Sequence, residues 1–503
     1  MRRRLLAAAF ALALAPAAAH AEGGTLNIGL REDPDVLDPT LGSSAAGRIV
    51  YAAMCNKLFD IDVNLNIVPQ LATGFEYADP THLIIHLRHG VTFQDGEPMD
   101  AEAVKTSLMR DLTAKGSMRA GEINAIQSVE VVDPATIRLV LKAPASQMLA
   151  QLADRAGIIM APKALAAVGD KFGLHPVCVG PYAFEQRVAQ DRIVLKRDPH
   201  YWDAKDYHFD QVVYHPLPNS AVRLANLLAG SLDIVEYIDP ADIPAVQHDS
   251  TLKLVMWDGL GYTGIHFNVG NGPAADWPGG KSALVRQAFE LAIDRTALIQ
   301  VVYSGMFTPT AQANPPSSPM FVPSIQPPAR DVAKAKALLQ QAGVTLPVHI
   351  ALTTTNNPDM QQVGEVIQAM TQEAGFDVKL QALEFASSLQ AAYSGAFQAY
   401  MIGWSGRSDA DGNTWQLLHT GGTFNFGHYS GPEVDRLLDE ARLTTDTAKR
   451  RDFYGQMWQQ ERRDMPLVYL WTARNIMGMK AGVQGFQQVP DGLIRLQGVT
   501  LAR

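Results

Sequence analysis

The sequence predicts an α/β protein of two or three domains, with its site at the carboxyl ends of parallel strands. Three observations carry this expectation. The chain has 503 residues, more than one hydrophobic core organises. Between residues 346 and 404, apolar runs and helical periodicities alternate as strand, helix, strand, helix, strand, the pattern of a parallel βαβαβ unit. The last run ends in GWSGRSDADGN, residues 403–413, which places Arg407, Asp409, Asp411 and Asn413 within one short loop.

Within the unit, residues 346–353 read as the first strand and residues 361–374 as a helix with Val363, Val366, Ile367 and Met370 on one side. Gly375 supplies the C-terminal cap. Residues 376–383 alternate, Phe376, Val378 and Leu380 against Asp377, Lys379 and Gln381, and residues 386–394 form the second helix. The strand 397–404 closes the unit. Ligands of such sheets bind outside the strands' carboxyl ends, so the loops 353–358, 384–386 and 405–413 converge. A solvated turn explains any one of them; three polar loops on one edge point to a cleft.

Residues 1–21 have the layout of an export signal. Arg2, Arg3 and Arg4 precede an apolar stretch, residues 5–15, too short to span a bilayer, and Ala19-His20-Ala21 offers a small-x-small cleavage site. The mature chain is expected to begin at Glu22, without a lipid anchor because no cysteine follows the apolar stretch. Losing three arginines takes the formal charge from −9 to −12. An acidic chain argues against nucleic acid as partner. Hydrophobic content of 47% and charged content of 18% are those of a globular protein. Cys55 and Cys178 are the only cysteines, read either as a disulfide in an oxidising compartment or as two buried thiols. The histidines form no zinc signature, and no metal or cofactor is expected.

From residue 24 to 160 the chain reads as strands and short helices: strands at 25–29 and 83–87, a helix at 100–111, and a hairpin of 129–132 with 136–141 about Asp133-Pro134. Strands follow at 192–197, 211–216 and 231–235, with a helix at 220–229 stopped by Gly230. Residues 252–257 and 264–269 read as two strands about GLGYTG, 259–264. That segment matches GxGxxG, but a strand and not a helix follows, so it is read as a hinge between lobes. GGKS at 279–282 lacks the first glycine of a phosphate loop. Ser282 is read as the N-cap of one helix, 283–302, with an Arg286 to Glu290 pair. The Pro-rich residues 313–330 are a connector, and Asp331 caps a helix ending at Gly343. No GxSxG motif is present, and Asp409 with Asp411 on a Gly-flanked loop reads as a clamp in preference to a catalytic pair.

Seven stretches, in order, carry a resemblance: Leu37-Asp38-Pro39, VTFQDGEPMDAEAV (91–104), Gly180-Pro181-Tyr182, VLKRDPHYW (194–202), RLANLLAGSLDI (223–234), VRQAFELAIDRTALIQVVYSG (285–305) and AKAKALLQQAG (333–343). Over nearly its full mature length the chain resembles the peptide-type, family 5 periplasmic solute-binding proteins of ABC importers. The resemblance implies a type II periplasmic binding protein fold: a first lobe, 22–264, with a subdomain inserted at about 60–170; a second lobe, 265–474; and a return of 475–503 to the first. It implies a monomer that closes on a small peptide or peptide-like solute and delivers it to an inner-membrane ABC permease.

The sequence departs from the family at the loop. Dipeptide and oligopeptide binders place there an Asp for the peptide ammonium, where this chain has Arg407; a carboxylate-binding Arg in the first converging loop is replaced by Thr354. Arg407 is therefore expected to offer a fork to a ligand carboxylate or phosphate, with Asp409 or Asp411 meeting an amine, or else to form an internal salt bridge to one of them. Trp404, Tyr262 and Trp415 are expected as apolar walls or as core. Glutathione, an opine-like conjugate or a metal chelate suits such a cleft as well as a peptide; a sensor or chaperone on the same fold and a secreted hydrolase are the readings from other classes.

Overall fold

The computed structural model describes residues 23–502, and the expected export signal lies outside them. The βαβαβ unit is present as strand Val348–Thr355, helix Pro358–Gln372, strand Phe376–Leu383, helix Phe385–Tyr393 and strand Ala399–Trp404. Its first strand lies in the middle, parallel to both others, with Val348 opposite Phe376 and Leu352 opposite Ala399. Val363 and Ile367 of the helix share one core with Ile350 and Val378 of the strands, which is the burial their spacing encoded.

Residues 252–257 and 264–269, expected as two strands, belong to one. Leu252–Phe267 runs antiparallel to Leu467–Lys480, with a register shift between Asp258 and Tyr262. The extra residues of GLGYTG are absorbed as a bulge, which bends the strand without ending it. This long pair passes between two regions with separate cores. One core gathers residues from Leu26 to Tyr214, Ile234, and Met477 to Leu501; the others gather residues between Leu224 and Ile476. In the first region, Thr25–Leu30 lies parallel to both Gln211–Pro216 and Ile234–Val235. Beside it, Ala72–Asp79, His82–Leu87, Thr136–Leu141 and Ile126–Asp133 form an antiparallel sheet that includes the expected hairpin. Helix Ala101–Thr113 packs on that sheet, capped by the Asp100 side chain on the Ala103 amide.

The single helix expected at 283–302 is two, Ala283–Leu291 and Arg295–Tyr303. The Asp294 carboxylate accepts the Ala297 amide at 2.9 Å and so starts a new helix inside a continuous apolar periodicity. The Arg286 to Glu290 pair does not form. Arg286 donates to the carbonyls of Asp464 and Met465, and Glu290 pairs with Arg295 at 2.7 Å.

Cys55 and Cys178 are bonded, 123 residues apart in sequence, and tie the end of helix Ala45–Met54 to the start of the Gly180-Pro181-Tyr182 turn. Closing so long a loop restricts the unfolded chain. Replacing both cysteines by serine is expected to lower the unfolding free energy by about 4 kcal/mol, measured by denaturant titration of the oxidised protein. A change below ~1 kcal/mol would show that the bond does not constrain the unfolded ensemble.

Candidate functional site

Strand Ala399–Trp404 ends against Tyr262 of the long strand. The loop that follows is pressed onto that strand: Gly406 has a φ of +76°, and a Cβ there would lie 2.3 Å from the Leu260 carbonyl carbon. The loop is shorter than expected, because helix Asp411–Leu418 begins inside it. Asn413 stitches it together, its amide oxygen accepting from the Trp404 indole at 3.0 Å and the Arg407 amide at 2.7 Å.

The charges of this loop are all met by protein groups. Asp409 is gripped by both terminal nitrogens of Arg450 at 2.8 and 2.9 Å. Burial works against its charge, but Arg450 overrides it and holds the carboxyl below the usual range. Asp411 takes a fork from Arg442 at 2.6 and 3.0 Å and accepts from Gln151 of the first lobe at 3.1 Å. Arg407 meets neither aspartate. Its Nε lies 2.5 Å from Asp154, a first-lobe residue whose other oxygen accepts from Arg48 at 3.1 Å. Arg48 in turn reaches back to Ser405 at 3.0 Å. Burial raises the Asp154 carboxyl, yet Arg407 and then Arg48 hold it well below the usual range. An Arg48–Asp154–Arg407 clasp therefore joins the lobes.

Beside the clasp lies a cavity of about 260 Å³, lined from both lobes and from the long strand pair. Of the residues expected at the site, Trp404 and Tyr262 line it. Arg407, Asp409, Asp411 and Asn413 do not, since buried charges require the partners they have found inside the protein. Thr354 is fully buried, and its neighbour Thr355 faces the cavity instead. Trp415 stacks on His419 and under Arg442, away from the cavity.

The charged residues that do line the cavity were not anticipated: Arg31, Glu32, Arg48, Glu236 and Asp359 among them. Glu32 and Glu236 follow the carboxyl ends of two adjacent parallel strands, Thr25–Leu30 and Ile234–Val235. Glu236 accepts the Arg31 amide at 3.0 Å, and Arg31 pairs across the lobes with Asp359 at 3.1 Å while covering the Tyr237 ring at 4.1 Å. Glu32 has only a long contact, 3.4 Å, to the Ala46 amide. Burial, and next the facing Glu236 carboxylate, push its carboxyl up to about 8. The signal for this pair was present, since the rule applied to the second-lobe strands also covers Arg31 and Glu32 after the first strand. Asp154 had no such signal, lying in a short turn far from any long strand's end.

Residues 66–425 match the family described as bacterial extracellular solute-binding proteins, family 5 Middle. The chain is 28% identical over 479 residues to the glutathione-binding protein GsiB of Pectobacterium atrosepticum, with 92% of each chain covered. The structure of AgaA from A. tumefaciens in complex with agropinic acid matches with a TM-score of 0.87 at 27% identity, covering 95% of this chain and 99% of that one. DppA from Helicobacter pylori, in complex with the peptide STSA, has the same fold, with a TM-score of 0.88, 23% identity and 96% and 99% coverage. These relatives are binding proteins.

Replacing Asp154 by Asn leaves two buried guanidinium groups facing each other where the lobes meet. The joined state is expected to lose about 3–5 kcal/mol, and the first lobe loses its own Arg48–Asp154 pair with it. Solution X-ray scattering should show a larger radius of gyration than the parent protein; an unchanged radius would mean that the clasp does not hold the lobes together.

Proposed function

We propose, from the premise that this chain belongs to family 5 of the bacterial extracellular solute-binding proteins, that it captures a small peptide or peptide-like amphoteric solute in the periplasm and delivers it to an inner-membrane ABC permease. The observation that carries this reading is the cavity, which is lined by both lobes and offers charges of both signs. The Glu32 and Glu236 pair suits an ammonium group, and Arg48 suits a carboxylate, because behind it Arg407 shares the single counter-charge of Asp154. Arg407 and Asp411, which meet first-lobe groups, serve closure, and Asp409 holds the loop, in place of direct contact.

At about 260 Å³ the cavity lies at the lower end of ligand sites, which suits a solute of about two or three residues and not a long peptide. Closure turns about the long strand pair near Asp258 to Tyr262, where the register shifts. Capture needs no turnover. Residues 1–21 direct export and are removed, and the mature protein acts as a monomer. A glutathione-like or opine-like conjugate is the second reading, favoured by the relative that binds glutathione and the structure that holds agropinic acid.

Native mass spectrometry of the protein taken undenatured from the periplasm is expected to show one bound solute per chain, of about dipeptide to tripeptide mass. Bound chains much longer than that, or turnover of the released solute on return to the protein, would overturn the reading.

A second test uses Glu32, whose carboxyl rises to about 8 through burial and the facing Glu236. Near neutral pH it carries a proton in the fold that the unfolded chain has released. Its contribution to stability therefore declines as pH rises from the usual carboxyl range through about 8. A solute ammonium displaces that proton. Calorimetry near neutral pH, in buffers of different ionisation enthalpy, is expected to show release approaching one proton per dipeptide bound, and none in Glu32→Gln. Equal release in both proteins would place the ammonium elsewhere.

A further inference from the structure

One side of the cavity is walled by Phe385, Leu389, Ile402, Phe424 and Phe426 of the second lobe. The topology brings them together. Phe385 and Leu389 lie one turn apart on helix Phe385–Tyr393, Ile402 is on the strand that ends at Trp404, and Phe424 and Phe426 follow helix Asp411–Leu418. The Phe424 ring meets Trp404 edge-on at 5.0 Å. A wall of this kind receives apolar surface and offers a charge no counter-ion.

One polar side chain stands with this wall. His266 is 5% exposed, lines the cavity and meets the Phe426 ring at 5.2 Å. It shares a strand face with Tyr262; on the neighbouring strand Tyr400 stands opposite His266, Ile402 opposite Gly264 and Trp404 opposite Tyr262. No described residue hydrogen-bonds to either ring nitrogen. Burial alone lowers its pKa to about 3, so the imidazole is neutral throughout the physiological range and has one donor and one acceptor without partners.

We propose that this chamber is a side-chain subsite for an aromatic ring bearing one uncharged polar tip, a phenol or an indole, with His266 as the hydrogen-bond partner of that tip. The proposal rests on the reading of the protein as a binder of small peptide-like solutes, and it narrows the class. An aliphatic group fills the chamber but leaves the imidazole unpaired, and a buried unpaired polar group is a cost that a phenol or indole removes. The free carboxylate of a γ-glutamyl group would lose its hydration there with nothing to replace it.

The test is calorimetric titration of the full mature protein, freed of its resident solute by unfolding and refolding with the disulfide intact. The probes are Ala-Tyr, Tyr-Ala, Ala-Phe, Phe-Ala, Ala-Ala and glutathione. The tighter tyrosine peptide is expected to bind about 30-fold more tightly than Ala-Ala, for the ring buried. It should exceed its phenylalanine counterpart by about threefold to tenfold, for the hydrogen bond gained. Glutathione should bind more weakly than the tyrosine peptides. His266→Phe should abolish the preference for tyrosine while holding the phenylalanine peptide within about threefold of its original affinity, which also shows that the variant is folded. Tighter binding of glutathione or Ala-Ala than of every aromatic peptide, or a tyrosine preference that survives in His266→Phe, would overturn the subsite and leave the solute-binding reading in place. Binding of none of the six would overturn that reading as well.

Discussion

The passage of two antiparallel strands, Leu252–Phe267 and Leu467–Lys480, from one core to the other is the constraint on which the site depends. A paired ribbon twists and bends more readily than it shears, so it keeps the lobes at a fixed spacing while letting their angle change. The register shift between Asp258 and Tyr262 concentrates that bending in a stretch where Gly259, Leu260 and Gly261 line the cavity. On the proposed closure, the floor of the binding site is therefore also its hinge. Gly406, whose Cα lies against Leu260, couples the second-lobe loop to the same point.

Around that floor, the buried charges sort into two groups with different physics. Asp409 with Arg450 and Asp411 with Arg442 are bidentate pairs that are fully matched, and they define the path of a loop too short to have a core of its own. The Arg48–Asp154–Arg407 clasp has two cations and one anion, and its members come from both lobes. Matched pairs make a rigid loop. An unmatched set, closed only when the lobes meet, makes a contact whose strength depends on what else enters the cleft.

The βαβαβ unit was legible because its order is written in local periodicities, and the strands Arg192–Arg197 and Gln211–Pro216 for the same reason. What escaped was set by distant partners. The helix break at Asp294 is a side-chain cap placed inside an unbroken apolar pattern. Arg407 reads as a fork for the ligand or a partner of Asp409 or Asp411 until Asp154, more than two hundred residues earlier, is folded against it. His266 shares the face of Tyr262 only because Leu252–Phe267 is one strand, whereas the sequence reads Tyr262 in a hinge between two. Nothing local says that the strand's neighbours leave its ring nitrogens without partners.

The cavity's acidic pair bears on how closure is linked to the solute. Glu32 and Glu236 stand at adjacent strand ends of one lobe, and bringing the other lobe over them removes water from two facing carboxylates. The protein alone relieves this by taking up a proton on Glu32, the physical content of its rise to about 8. A solute that brings an ammonium relieves it without the proton and gains the Coulomb attraction of both carboxylates. Such a solute binds the closed form better than the open one, and that differential affinity is what shifts a two-state equilibrium. A solute that is anionic at the same end raises the cost it would have to offset. In the proposed binding mode the acidic pair thus makes closure itself selective, before any side chain of the solute reaches the aromatic wall.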